Sequence, residues 1–181
     1  QGLSDSYVFY GYVDQLLLGE ELALEGVQTV LDYFAQDVEL GLGTQLWLIR
    51  GDTAQGAVQA GEKTGVDSRL STLQTDSEMG AAGVTRTVGE TSASLLEWGS
   101  AYLPALRAVE QEREGETALL EAGYGVLRDG RLVGYLDGEG ARGLELLTGR
   151  TAADILEIEL PSGRTVVRLT GAAVQWSPEF Q

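Results

Sequence analysis

Cysteine, histidine and asparagine are absent from these 181 residues. Without the first two there is no thiolate nucleophile, no imidazole base for a triad and no zinc site of the cysteine or histidine type. Without asparagine there is no N-glycosylation acceptor. Positive charge is scarce: 12 basic residues face 28 acidic ones, for a net charge of −16. Eleven of the cations are arginine and Lys63 is the only lysine. Such a chain is repelled by phosphate backbones, so nucleic acid is not an expected partner. Long apolar runs are missing too, and none approaches the ~20 residues of a membrane span.

What is present is ordinary globular material, 43% hydrophobic and 22% charged. A chain of this length buries roughly 70% of its unfolded surface without a metal or disulfide. It opens Gln1-Gly2-Leu3, with neither a methionine nor a signal peptide, and reads as a piece of a longer protein.

Residues 7 to 18 alternate and then become continuously apolar at Leu16-Leu17-Leu18, which predicts a strand in at least the last part. Gly19 breaks it. Ala23, Val27, Val30, Leu31 and Phe34 recur at helical spacing, predicting one helix from Glu20 to about Phe34. Gly26 inside that helix costs ~1 kcal/mol relative to alanine and suggests close packing. Gln45 to Arg50 reads as a strand buried on both faces. Gly51-Asp52-Thr53 turns it into a helix capped by Asp52 or Thr53. The order strand, helix, strand, helix predicts a parallel pair with a crossover helix.

Residues 64 to 86 read as a loop or a weak helix. Thr87 to Glu90 has capping-box spacing and leads into a helix carrying Leu95, Leu96 and Trp98. Pro104 is expected to end the connection that follows. Glu110 to Glu116 is a charged turn and the expected internal boundary. Thr117–Arg128 and Arg131–Leu136 then form a hairpin around a type I′ turn at Asp129-Gly130, where both residues need positive φ. Asp137 is expected to cap a short helix that stops at Gly149. A second hairpin flanks Pro161-Ser162-Gly163, its last strand running on towards Trp176.

Counting back from Asp129-Gly130, an undistorted hairpin pairs Leu127 with Leu132, Gly125 with Gly134 and Tyr124 with Tyr135. The paired glycines would leave a hollow over which the next helix packs with Ala141, Leu144 and Leu147. The two tyrosines would stack on the other face.

The run GYGVLRDGRLVGYLDGEGARGLELLTG, residues 123–149, resembles the Ger(x)C family, the C-subunit lipoproteins of bacterial spore germinant receptors. The motif residues are Gly125, Gly130, Leu132, Gly134, Leu136, Arg142 and Gly143. Leu16 to Ala23 with Gly26-Val27, and Leu46 to Ala54, are similar to two earlier family segments. The sequence departs from the pattern at Gly11-Tyr12-Val13, where the family often has a histidine, and at Gly140-Ala141. The lipid-bearing N-terminal cysteine is absent.

The resemblance implies an α/β to α+β fold with two small mixed-sheet domains flanked by helices, residues 1–114 and 115–181, and a large third domain missing. It implies a non-enzymatic subunit of a receptor for nutrient-triggered germination. The partners would be integral-membrane and other receptor subunits. Attachment would be through an N-terminal lipid, at the outer face of the inner spore membrane.

Three chemistries compete with that reading. Gly56 to Thr64 misses the phosphate-loop pattern because Glu62 stands between Gly61 and Lys63. No acidic stretch has the spacing of a calcium loop. A small acid/base hydrolase of the envelope is the alternative; it needs two carboxyls ~5–9 Å apart in a pocket. No cofactor, metal or catalytic residue is expected. Arg128 and Arg131, opposed at the hairpin tip, are candidates for contact with a partner carboxylate.

Overall fold

The computed structural model describes residues 13–36, 41–60, 65–79, 83–110, 117–149, 154–169 and 174–175. In chain order its elements are β1 (Gln15–Gly19), α1 (Glu20–Glu25), α2 (Gln28–Gln36), β2 (Gln45–Ile49), α3 (Ala54–Ala60) and α4 (Val66–Glu78). Then come β3 (Arg86–Thr87), α5 (Val88–Trp98), β4 (Ser100–Glu110), β5 (Thr117–Arg128) and β6 (Arg131–Leu136). The last are α6 (Glu139–Leu147), β7 (Asp154–Leu160) and β8 (Gly163–Leu169).

One mixed sheet runs β1-β2-β4-β5-β6, with β3 added beside β2. The β1–β2 pair is parallel, as the strand–helix–strand reading expects, and β2–β4 is parallel too; β4–β5 and β5–β6 are antiparallel. Because β2 is central it needs apolar residues on both faces, and the alternation of its side chains divides them between two cores. Leu46 and Leu48 join Ala23, Leu31, Phe34 and Val88 of α1, α2 and α5, and Val27 between the first two helices. Trp47 and Ile49 join Ala57, Leu70 and Leu73 of α3 and α4. The result is an α/β layering with helices on both faces of the sheet.

Several expectations need correction. The helix expected from Glu20 to Phe34 is two helices, because Gly26 takes φ 140° and leaves helical space. Residues 66–78 form a full helix, held by buried Leu70 and Leu73 and by Arg69 Nε, which donates to the Leu119 carbonyl at 3.2 Å. Pro104 lies inside β4, opposite Tyr124 and beside a register shift at which β5 carries one extra residue. The expected boundary at 114/115 falls between β4 and β5, which pair from Ser100–Arg128 to Glu110–Thr117, so the sheet crosses it.

Other readings hold in detail. The capping box is present: Glu90 N–H donates to Thr87 Oγ1 at 3.1 Å and Thr87 N–H to Glu90 Oε2 at 3.0 Å. Thr53 rather than Asp52 caps α3, taking the Gly56 N–H at 2.9 Å. Asp129 and Gly130 have φ 49° and 74°, as a type I′ turn requires. The second hairpin forms, with Leu160 opposite Gly163. Residues 7–12, 61–64, 111–116 and the stretch around Trp176 lie outside the described residues, with the expectations that fall on them.

Candidate functional site

The hairpin β5–β6 is the segment on which the reading rested, and its register departs from the simple count. Arg128–Arg131 and Leu127–Leu132 pair as expected, but a bulge follows. Beyond it Val126 pairs with Gly134, Gly125 with Tyr135 and Tyr124 with Leu136. The unpaired residue is Val133, which is 61% exposed. One extra residue turns every later side chain of β6 to the opposite face. Gly125 and Gly134 therefore do not face each other, and Tyr124 and Tyr135 lie on opposite faces rather than stacking.

Each tyrosine secures a different joint. On the α1 side, Tyr135 donates its hydroxyl to Glu20, whose other oxygen accepts from Gly51 N–H at 3.0 Å. The Arg50 guanidinium stacks on the Tyr135 ring at 4.2 Å and bonds Asp137 at 2.9 Å. These groups tie the C-terminal ends of β1 and β2 to β6. On the other face, Tyr124 takes the Val84 N–H at 2.7 Å and donates to Glu145 of α6 at 2.8 Å. Burial, and after it the carboxylate accepting its proton, pushes each phenol well above its ordinary value. Both hydroxyls are neutral structural donors.

Asp137 is consequently not a helix cap. Its carboxylate is turned to Arg50, and Gly138, with φ 52°, occupies the cap position of α6. The helix ends near Gly149, which has the left-handed φ of 68°. The helix does not cover a glycine hollow either. A Cβ on Gly134 or Gly143 would meet nothing within 4 Å, whereas one on Gly125 would run into Leu48. No α6 residue is fully buried.

Two further motif residues, Leu132 and Gly130, help to pack the hairpin. Leu132 is in the core. The Gly130 carbonyl accepts from Val27 N–H at 2.8 Å, and Asp129 N–H donates to the Gly99 carbonyl at 2.8 Å. The hairpin tip is thus clamped between the α1–α2 break and the end of α5. This contact explains Gly26: leaving the helix turns the next N–H towards the tip. Arg128 and Arg131 are paired across the strands and exposed.

Because α6 stands off the sheet, a cleft of about 310 Å³ opens between it, the end of α5 and strands β4 to β6. Trp98, Tyr102, Val126, Leu136 and Leu144 supply its apolar lining, and Ser94 and Ser100 its hydroxyls. Among the described residues no carboxylate lines it. Trp98 is 71% exposed, leaving most of its indole open to water. Of these residues the family-like run contained Val126, Leu136 and Leu144, but not Ser94, Trp98, Ser100 or Tyr102. Spacing alone puts Trp98 on the Val88, Thr91, Leu95 stripe of α5, so the pattern carries no signal that its indole stands exposed at the helix end.

A second cleft, about 810 Å³, lies between α6 and the β7–β8 hairpin. It mixes Glu139, Glu157 and Glu159 with Arg142 and Arg164, and Arg164 is ion-paired with Glu157. Glu121 and Glu145 both approach Gly83, and accept from Gly83 N–H and the Tyr124 hydroxyl respectively. Neither lines either cleft. Among the described residues no group of three or more acidic side chains is gathered as for a metal ion.

Comparison with known proteins agrees with this architecture. The profile of the spore germination protein N-terminal domain matches residues 1–108. That range contains the two earlier family-like segments, while the hairpin and α6 lie beyond it. The fold is similar to one described as the crystal structure of the GerBC protein, with a TM-score of 0.60 at 19% identity. That likeness covers 94% of this chain and 50% of the GerBC chain, so the sequence spans about half the length of that relative. No curated protein matches. The profile match over more than half its length shows that the chain belongs to the Ger(x)C family of spore germination proteins.

Proposed function

We propose that this chain is the amino-terminal part of a non-enzymatic spore germinant receptor subunit, and that it works by docking to other receptor proteins. The observation that carries the reading is the Trp98 cleft: apolar, open and with no carboxylate among the described residues that line it, it suits a partner's side chain better than acid/base chemistry. A large exposed indole beside an apolar notch is the kind of anchor that dominates protein interfaces. The polar groups of the family-like segments are engaged with one another, as Glu20, Arg50, Tyr135 and Asp137 show. They hold strand ends together.

The partners on this reading are the integral-membrane and other subunits of the receptor. No helix among the described residues is long and apolar enough to cross a membrane. A lipid on the full-length protein would hold the domain at the outer face of the inner spore membrane, against the repulsion its charge of −16 creates. Arg128 and Arg131 supply an exposed cationic pair for a partner carboxylate. The test is to isolate the full-length protein from spore membranes. Co-purification of an integral-membrane receptor subunit supports the reading, and its absence contradicts it.

A further inference from the structure

The β7–β8 hairpin turns one face, rich in charge, towards α6 and carries a largely apolar face on its other side. The register places Ile155, Glu157, Glu159 and Arg164 on one side, and these line the cleft against α6. The opposite side carries Ile158, Leu160, Gly163, Thr165 and Val167, with Asp154 its one charged position, at the end away from the turn. Ile158, Leu160 and Val167 are 41%, 47% and 37% exposed. Two strands alone are marginal in water, and an apolar sheet face turned outward calls for a cover.

The size of the face constrains what that cover is. Two seven-residue strands present roughly 23 Å by 10 Å, about 230 Å². A stable contact between separate molecules takes about 800 Å² from each. Two copies carrying −16 apiece also repel. A segment of the same polypeptide loses no translational freedom on docking, so a small face is enough for it. GerBC has as much chain again beyond the half that matches.

We propose that the Ile158–Leu160–Val167 face is the docking surface for sequence following residue 181 in the same polypeptide, which packs an apolar sheet or helix face on it. This goes beyond the receptor assignment and requires no partner protein.

The absence of cysteine from residues 1–181 makes the test direct. Ile158→Cys and Val166→Cys are introduced separately into the purified full-length polypeptide and labelled with a soluble thiol reagent. Val166 lies on the opposite face and is 61% exposed. The proposal expects Ile158→Cys to label at least about tenfold more slowly, at a rate unchanged by dilution. Leu160→Cys repeats the measurement should Ile158→Cys fail to fold. Equal labelling rates overturn the proposal. So does slow labelling that becomes fast on dilution, which would assign the face to a second copy, or slow labelling that appears only when a separate receptor protein is added.

Discussion

The side chain of Leu48 fills the space where a Cβ on Gly125 would stand. Leu48 is fully buried in the centre of the sheet, so it has no free volume to retreat into. Gly125→Ala is expected to destabilise by about 1–3 kcal/mol through overpacking. Gly134, two residues along the motif from Leu132, has open space around it, and Gly134→Ala is expected to stay within about 0.5 kcal/mol of the parent. Urea denaturation of the two variants checks the pair. The contrast separates the bulged register from the undistorted one, in which both glycines share a packed hollow and Gly134→Leu costs over ~2 kcal/mol.

The Thr87 hydroxyl closes a reciprocal cap with Glu90 at the start of α5. Thr87→Ala is expected to lower stability by about 0.5–2 kcal/mol, measured as a fall in thermal midpoint, and Thr87→Ser should recover most of it.

Tyr124→Phe keeps the ring against Tyr102 but removes the acceptor of the buried Val84 N–H and the donor to Glu145. An unpaired buried amide costs about 1–3 kcal/mol, so the variant should lose that much. Faster hydrogen exchange in α6 should accompany the loss, since that helix has no fully buried residue and Tyr124 is one of its ties to the sheet.

Alkaline stability follows from the two phenols. Tyr124 and Tyr135 are raised above the ordinary value of 10.0, by burial first and then by Glu145 and Glu20. Above about pH 10 the unfolded chain releases protons that the folded chain keeps, so its bound-proton count is the lower one and stability falls as pH rises. The stabilisation is complete below that pH. Denaturation midpoints should decline from about pH 10 upward, and Tyr124→Phe or Tyr135→Phe should each flatten the decline. A midpoint that holds or rises there contradicts the assignment.

The fold was legible where local chemistry decides it. The capping box at Thr87 and Glu90, the Asp129-Gly130 turn and the apolar run of β2 each specify their geometry within a few residues. What escaped depends on distant partners. The α1–α2 break exists because the Val27 amide bonds Gly130 at the tip of a hairpin about a hundred residues away. Helical periodicity across Gly26 is undisturbed, so pattern alone joins the two helices. The bulge at Val133 is equally silent, and it moved half of β6 to the other face. Asp137 looked like a cap until Arg50, from β2's end, claimed its carboxylate. The cleft escaped for the same reason: Trp98, Val126 and Leu144 come from three elements, and only the standoff of α6 gathers them. Motif residues identified the family and supply one wall of the cleft, while Trp98 and Tyr102 lie outside the family-like run.

The central claim is that the Trp98 cleft docks a receptor protein. Trp98→Asp in the full-length protein, made in sporulating cells, tests it most directly, because Trp98 is mostly solvent-exposed and its replacement should leave the thermal midpoint within a few degrees. We expect the variant to fold and reach the spore membrane while the integral-membrane subunit that accompanies the parent protein falls at least about tenfold in the co-purified material. Undiminished co-purification with a folded variant would contradict the account.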